Sequence, residues 1–130
     1  MAAETPPVSV VVPTRDRPEL LRRAVTAILE QTYQGPVECL VVFDQSDPDL
    51  PWPDLPPGRS LVVVRNDRTP GLAGARNSGI LAATGELVAF CDDDDEWLPE
   101  KLDRQVARLL ATPSAAVSTS RTRRIICQSR

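Results

Sequence analysis

Residues 86–95 read Glu-Leu-Val-Ala-Phe-Cys-Asp-Asp-Asp-Asp, a short apolar run that leads directly into four consecutive carboxylates. The part from Glu86 to Cys91 predicts a β-strand, because it is short, apolar and followed at once by polar residues. Two unit charges ~4 Å apart repel by about 1 kcal/mol even in bulk water. The sequence therefore predicts a strand whose end carries an unusual concentration of negative charge.

Three more apolar runs predict strands, and helical patterns lie between them. The predicted strands are Val8–Val12, which Pro13 ends, Val37–Phe43 and Leu61–Val64, and the predicted helices are Pro18–Gln31, Gly71–Thr84 and Pro99–Leu110. Asp16 is expected to cap the first helix. Residues 44–59 contain five prolines and predict an irregular loop. The order β-α-β-β-α-β-α predicts an α/β fold with a Rossmann-like, parallel-rich sheet flanked by helices.

Polar residues follow three of these strands and should meet at one edge of the sheet. Thr14, Arg15 and Asp16 follow the first strand, Asp44 follows the second, and the aspartates follow the fourth. In open α/β sheets, ligands bind beyond the carboxyl ends of the strands. The acidic run could be a solvated turn before the next helix. Its place after an apolar strand at the ligand-binding edge favours a site for Mg²⁺ or Mn²⁺, which prefer oxygen ligands.

The stretch Gly71-Leu-Ala-Gly-Ala-Arg-Asn-Ser-Gly79 is neither a P-loop nor a dinucleotide-binding fingerprint. Its glycines are expected to permit close packing of a helix on the sheet. Arg76, on the same helix, could pair with the aspartates or bind a phosphate. The two roles are compatible, and the sequence leaves both open.

Composition excludes several classes of function. The 130 residues suit one domain, and 15 basic against 18 acidic side chains give a net charge of −3, which does not favour binding to nucleic acid. The absence of histidine excludes Ser-His-Asp and Cys-His nucleophiles and the usual zinc sites. No apolar run reaches the ~18 residues of a membrane helix. Cys39, Cys91 and Cys127 are predicted to be free thiols in a reducing compartment, hence a cytoplasmic protein.

The motifs, taken in order, resemble the N-terminal, nucleotide-sugar-binding part of a family 2 glycosyltransferase with the GT-A fold. The resemblance covers roughly residues 8 to 110 and rests on residues 8–21, 31–33, 41–46, 71–80 and 90–97. It implies that a sugar is transferred with inversion from a nucleotide-diphospho-sugar, with a divalent cation, Mn²⁺ or Mg²⁺, as cofactor. The acceptor, whether saccharide, lipid or small molecule, stays open.

The resemblance also implies roles for single residues. Pro13, Thr14, Arg15 and Asp16 would line the nucleotide pocket, Asp44 would hydrogen-bond the base, and Arg76 would lie beside the diphosphate. Asp92-Asp93-Asp94 would be the Asp-x-Asp motif, in which Asp92 and Asp93 lie near the ribose and the metal. Asp92 and Asp94 are the predicted metal ligands.

Two departures from the family pattern limit what is expected of this chain. Phe43-Asp44-Gln45-Ser46 stands where the family has Asp-Asp-Gly-Ser, so the base is not specified. A single GT-A domain is expected over residues 8–130 after a disordered N-terminus, residues 1–7. It is expected to be truncated after the Asp-x-Asp region, without the acceptor-binding half and its general base.

Alternatives to sugar transfer and expectations about partners complete the predictions. The alternatives are a non-catalytic module that binds a nucleotide or a divalent cation, and a Mg²⁺-dependent nucleotidyltransferase. Peripheral membrane contact through an acceptor or partner and a homodimer paired through a sheet edge are further expectations.

Overall fold

The computed structural model describes residues 5–48 and 54–112. The elements follow in the order β1 Val8–Thr14, α1 Pro18–Leu29, β2 Val37–Phe43, β3 Arg59–Arg65, α2 Leu72–Ala82, β4 Leu87–Phe90 and α3 Lys101–Ala111. The predicted order of strands and helices is confirmed, and most bounds differ from the predicted ones by one or two residues. Arg59, assigned to the irregular loop, instead begins β3.

The four strands form one parallel sheet in the order β3-β2-β1-β4. The central strands β1 and β2 are almost wholly buried, whereas β3 and β4 alternate between partly buried and exposed residues because they form the two edges. The predicted parallel α/β architecture is therefore confirmed. Since all strands run the same way, the carboxyl ends of β1, β2 and β4 lie at one edge.

Strand β1 continues through Pro13 and ends at Thr14, one step beyond the proline that was expected to end it. The carbonyl of Thr14 accepts a hydrogen bond from the Asp44 amide on the β2 side, at 2.9 Å. The nitrogen of the preceding Pro13 therefore faces the β4 side, where pairing already ends at Val11. The missing N–H of proline thus interrupts no hydrogen bond of the sheet.

Helices cover both faces of the sheet. Residues of α1 and α3, including Leu21, Ile28 and Leu102, pack in the larger of two apolar clusters, and α2 covers the opposite face through a smaller one. A Cβ added to Gly79 would lie 2.3 Å from Cγ1 of Val11, so only glycine allows α2 to approach the sheet so closely. The predicted packing on the sheet is confirmed for Gly79, whereas Gly74 packs on the backbone of Thr69 in the loop before α2.

The expectation of a disordered N-terminus is wrong for residues 5–7. The carbonyl of Pro7 accepts a hydrogen bond from the Leu87 amide at 3.1 Å, and the carbonyl of Pro6 accepts one from the Tyr33 hydroxyl at 2.6 Å. These carbonyls hold the segment against the start of β4 and the chain after α1. Residues 1–4 lie outside the described part.

The expected helix cap is also wrong. Arg17, not Asp16, occupies the N-cap position of α1, and no side chain caps the helix there. Because Pro18 takes the first helical position, for which its fixed φ is suited, α1 begins at Pro18 as predicted, and the residue directly before it is the N-cap. Asp16 instead adopts a left-handed conformation with φ of 54°.

Arg59 ties the start of β3 to the chain that follows α1. Its guanidinium donates hydrogen bonds of 2.7 to 3.2 Å to the carbonyls of Leu29, Gln31, Tyr33, Gly35 and Gly58. The cation lies at the C-terminal end of α1, where positive charge is favoured by the helix dipole. One side chain thus binds five backbone carbonyls in and around the α1–β2 connection.

Cys39 and Cys91 are buried thiols, as predicted, and burial raises the pKa of Cys39 to about 12. Cys127 lies outside the described residues. Across residues 5–48 and 54–112, none of the helices is long and apolar enough to cross a membrane.

Candidate functional site

The carboxyl edge of the sheet brings the predicted site residues together from three strands. The backbone hydrogen bond from Asp44 to Thr14 joins the ends of β2 and β1, and the Asn66 amide donates to the Phe43 carbonyl at 2.9 Å, which joins the end of β3 to β2. The acidic run begins two residues after β4 on the same edge. The ends of β1, β2 and β3 are thus hydrogen-bonded side by side at the edge where the polar residues follow the strands.

Three of the four consecutive aspartates form an acidic cluster. Asp92, Asp94 and Asp95 each present a carboxylate oxygen, and these oxygens lie within 4.8 Å of one another. The run folds as a turn in which the Asp95 amide donates to the Asp92 carbonyl at 3.1 Å. Hard oxygen ligands at this separation fit Mg²⁺ or Mn²⁺. Asp95 was not among the predicted metal ligands, Asp92 and Asp94, although the sequence shows it as the fourth carboxylate of the run.

Asp93 points away from the acidic cluster and anchors the run to β1. It is buried, and its carboxylate accepts hydrogen bonds from the Thr14 hydroxyl at 2.9 Å and from the Arg17 guanidinium at 3.3 Å. Burial raises the pKa of Asp93, while Thr14 and Arg17 lower it and the charge of Asp94 raises it further. Because Asp93 is anchored in this way, Asp92 and Asp94 on either side of it point outward. Its predicted place near the nucleotide stays a prediction.

Arginines from two helices balance the charge of the acidic run. Arg76 of α2 lies 3.5 Å from Asp92, and its guanidinium carbon lies 5.9 Å from the ring centre of Phe90. Arg17 reaches both Asp93 and Asp94, the latter at 3.6 Å. Of the two roles left open for Arg76, the pairing with the aspartates is confirmed, and phosphate binding stays a prediction. Sequence reasoning missed Arg17, whose signal was its place directly before the Pro18 that begins α1.

Asp44 is buried and its carboxylate is largely occupied by the protein itself. Oδ1 accepts a hydrogen bond from Asn66 at 2.9 Å, and Oδ2 accepts from the Gly71 amide at 3.1 Å and from Gln45 at 3.3 Å. The bond from Asn66 lowers the pKa of Asp44, burial raises it, and Gln45, Gly71 and the charge of Arg15 lower it, so that the net shift is downward. A carboxylate has about four acceptor positions, so one stays available to a ligand.

Asn66 joins this network and was missed by the sequence reasoning. Its side chain donates to Asp44 and to the Thr69 carbonyl, and accepts from the Ser78 hydroxyl and the Arg68 amide. An asparagine directly after an apolar strand is the signal that could have found it.

The other predicted pocket residues differ in exposure. Pro13 and Thr14 are buried at the end of β1, whereas Arg15 and Asp16 are exposed on the loop that follows. All four lie at the edge where the predicted site was expected. Their contact with a nucleotide stays a prediction.

The segment after the acidic run is fastened to α1 on both sides. Glu96 pairs with Arg23 at 2.9 Å, and the Gln31 side chain donates to the Leu98 carbonyl at 2.7 Å and accepts from the Leu102 amide at 2.9 Å. Together with the Arg17 contacts, these bonds fix the acidic run between β4 and α3. These contacts thus hold the acidic cluster in place before any ligand binds.

A parallel sheet with an acidic run after its fourth strand matches a known class of enzyme. A family model described as Glycosyl transferase family 2 matches residues 9–129. The chain therefore belongs to glycosyltransferase family 2, and its fold is that of the GT-A glycosyltransferases.

Individual relatives show the same pattern over part of their length. The chain is 32% identical over 104 residues to the Escherichia coli UDP-Glc:alpha-D-GlcNAc-diphosphoundecaprenol beta-1,3-glucosyltransferase WfgD, a match that covers 79% of this chain and 41% of that protein. It is 33% identical over 103 residues to the putative colanic acid biosynthesis glycosyl transferase WcaA of Escherichia coli strain K12, with 75% and 36% covered. The chain thus spans about two fifths of the length of these relatives.

Solved structures agree with the family assignment. The mannosyltransferase PcManGT from Pyrobaculum calidifontis, in complex with GDP-Man and Mn²⁺, is similar with a TM-score of 0.71 and 30% identity over 86% of this chain and 34% of that one. TarS from S. aureus shares the fold with a TM-score of 0.63 over 80% of this chain and 19% of its own, at 24% identity.

Proposed function

We propose that this chain is the donor-binding part of an inverting glycosyltransferase, which binds a nucleotide-diphospho-sugar through a divalent cation. The observation that supports this most directly is the acidic cluster of Asp92, Asp94 and Asp95 beside Arg76. It lies where parallel strands end, as expected for a ligand site. Family membership favours sugar transfer over nucleotidyl transfer.

The acidic cluster would hold the cation. Its donors are three carboxylate oxygens, which suit Mn²⁺ and Mg²⁺, and Asp93 keeps the run in place through Thr14 and Arg17. When bound, the cation would act as a Lewis acid that stabilises the charge on the departing nucleoside diphosphate. The Mn²⁺ in the structure of the mannosyltransferase PcManGT supports a divalent cation as cofactor.

Arginine and aspartate side chains would bind the rest of the donor. Arg76 carries positive charge beside the acidic cluster and could donate to a phosphate oxygen. Asp44 keeps one acceptor position, which suits an N–H of the base, and Arg15 and Asp16 lie exposed on the adjoining loop. Pro13, Thr14 and Asp93 would shape the floor of the pocket.

We propose that the residues that bind the acceptor, and the general base, lie outside the described residues. WfgD and the Escherichia coli protein WfaP are named for an acceptor on diphosphoundecaprenol, and we infer a lipid-linked acceptor and peripheral membrane contact for this chain too. Association of two copies through a strand at a sheet edge is a further part of the proposal.

Calorimetric titration of GDP-mannose and UDP-glucose into the protein, with Mn²⁺ and with a chelator, tests the proposal. One donor should bind with Mn²⁺, and the binding should disappear with the chelator and in Asp94→Asn. Asp54→Asn makes the same chemical change at an exposed residue outside the acidic cluster and should bind as the unaltered protein does.

The outcomes separate the proposal from its rivals. Binding of Mn²⁺ without either nucleotide-sugar would indicate a non-catalytic metal-binding module. Binding of a nucleotide-sugar that survives the chelator and Asp94→Asn would contradict the role given to the acidic cluster. A folded protein that binds neither metal nor donor would show that the acidic run is a solvated turn.

A further inference from the structure

We propose that Asn66 and Ser78 are positioning residues. They hold α2 in the position at which Arg76 faces the acidic cluster. The inference rests on the proposed function, since it gives both residues a role in binding the diphosphate of the donor. Neither residue was a predicted site residue. Both act through Arg76.

Asn66 uses its whole hydrogen-bonding capacity to join three parts of the fold. Its amide nitrogen donates to Oδ1 of Asp44 at 2.9 Å and to the Thr69 carbonyl at 3.0 Å. Its oxygen accepts from the Ser78 hydroxyl at 2.9 Å and from the Arg68 amide at 3.0 Å. An asparagine side chain offers two donors and two acceptor positions, so all four are occupied. The end of β2, the β3–α2 loop and α2 therefore meet at one side chain.

These contacts fix α2 on both sides of Arg76. Ser78, two residues later, is bonded to Asn66 directly. Gly74, two residues earlier, packs on the Thr69 carbonyl that Asn66 also holds, so closely that a Cβ would lie 1.7 Å from its oxygen. Since both supports lead back to Asn66, a change there moves the helical turn that carries Arg76.

The Arg76 side chain is 41% exposed, and its few contacts make its position sensitive to such a movement. Its Nε is buried without a hydrogen-bond partner, and its guanidinium lies over Phe90. The distance to Asp92, 3.5 Å, is at the limit of a hydrogen bond, so a shift of a few tenths of an ångström decides whether it forms. A cation held in advance binds a phosphate without the cost of ordering it.

Ser78→Ala removes the hydrogen bond between α2 and Asn66. Alanine is a good helix former, so the helix itself should persist. With Mn²⁺ present, we expect the affinity for the bound donor, GDP-mannose or UDP-glucose, to fall about tenfold, as for one lost hydrogen bond to a charged group. In an Arg76→Ala background the same substitution should change the affinity less than about twofold, because its effect passes through Arg76.

Ser9→Ala is the matched control. Ser9 is also buried, and its hydroxyl donates to Glu38 at 2.6 Å and accepts from the Gly85 amide at 2.8 Å, at the opposite edge of the sheet. The variant should lose thermal stability as Ser78→Ala does and keep the donor affinity. Equal loss of affinity in both variants, or additive loss with Arg76→Ala, would overturn the inference.

A second measurement separates this inference from the proposed function. Hydrogen exchange of the buried Arg76 Nε–H, followed by NMR without any nucleotide, should be faster in Ser78→Ala and unchanged in Ser9→Ala. Faster exchange in a protein that binds no donor would refute the proposed function and leave the positioning of Arg76 supported. Unchanged exchange in Ser78→Ala would refute the positioning whether or not a donor binds.

Discussion

Replacing Arg59 by alanine should cost a large part of the stability of this domain. Four of its five hydrogen bonds are partly shielded from water, those to Leu29, Gln31, Tyr33 and Gly35. At about 0.5–1.5 kcal/mol each, their loss amounts to about 2–6 kcal/mol of unfolding free energy. Since ~1 kcal/mol shifts the melting temperature of a domain of this size by roughly 4–8 °C, we expect Tm to fall by at least about 8 °C.

Two further variants make the Arg59 measurement decisive. Arg65→Ala removes an arginine from the same strand, but that side chain is 66% exposed and makes an ion pair at 3.4 Å with Asp47, so the loss should stay below about 0.5 kcal/mol. Arg59→Lys keeps the charge but has one side-chain nitrogen, so it should recover only a minor part of the unfolding free energy that Arg59→Ala loses. Urea unfolding monitored by circular dichroism compares the three. Equal stability of Arg59→Ala and Arg65→Ala would refute the reasoning.

Three other predictions follow from the fold. Gly74→Ala should destabilise the protein by about 1–3 kcal/mol in urea unfolding and weaken donor binding, because the new Cβ would clash with the Thr69 carbonyl; unchanged binding would contradict this. Burial raises the pKa of Glu38, but hydrogen bonds from Ser9 and Thr84 lower it and prevail, so its stabilisation exists above its ordinary pKa and is lost as pH falls through the lowered one. Glu38→Gln should therefore lose less stability than the unaltered protein between pH 7 and pH 3. Cys39 should resist iodoacetamide until urea unfolds the chain, as mass spectrometry of its peptide would show.

The elements could be predicted from sequence because their signals are local. The apolar runs of β1 and β2 and the helical spacing in α1 identify them without any long-range contact. The position of the site could be predicted as well, since parallel strands place Thr14, Asp44 and the acidic run at one edge once the strand order is known. The resemblance to a glycosyltransferase family added the expected roles.

The supports of the site could not be predicted, because they depend on contacts between distant parts of the chain. Asp93 meets Thr14 across 79 positions and Arg17 across 76, and no local pattern shows that this aspartate turns inward while its neighbours turn outward. Asn66 likewise gains its importance only from where α2 lies. The helix cap at Arg17 was missed because Asp16, a residue type that commonly caps helices, stands one position before it.

The left-handed residues at the ends of β1 and β2 have a consequence for how this edge can change. Asp16 and Gln45 have φ of 54° and 55°, and each stands two positions after its strand ends. Both loops therefore turn off the sheet at equivalent places, through a backbone conformation that L side chains rarely adopt. A β-branched residue at either position would carry a conformational penalty of about 1–3 kcal/mol, while glycine would relieve it. The course of both loops is thus set at two exposed positions, of which Gln45 can be replaced without removing an acidic or basic group.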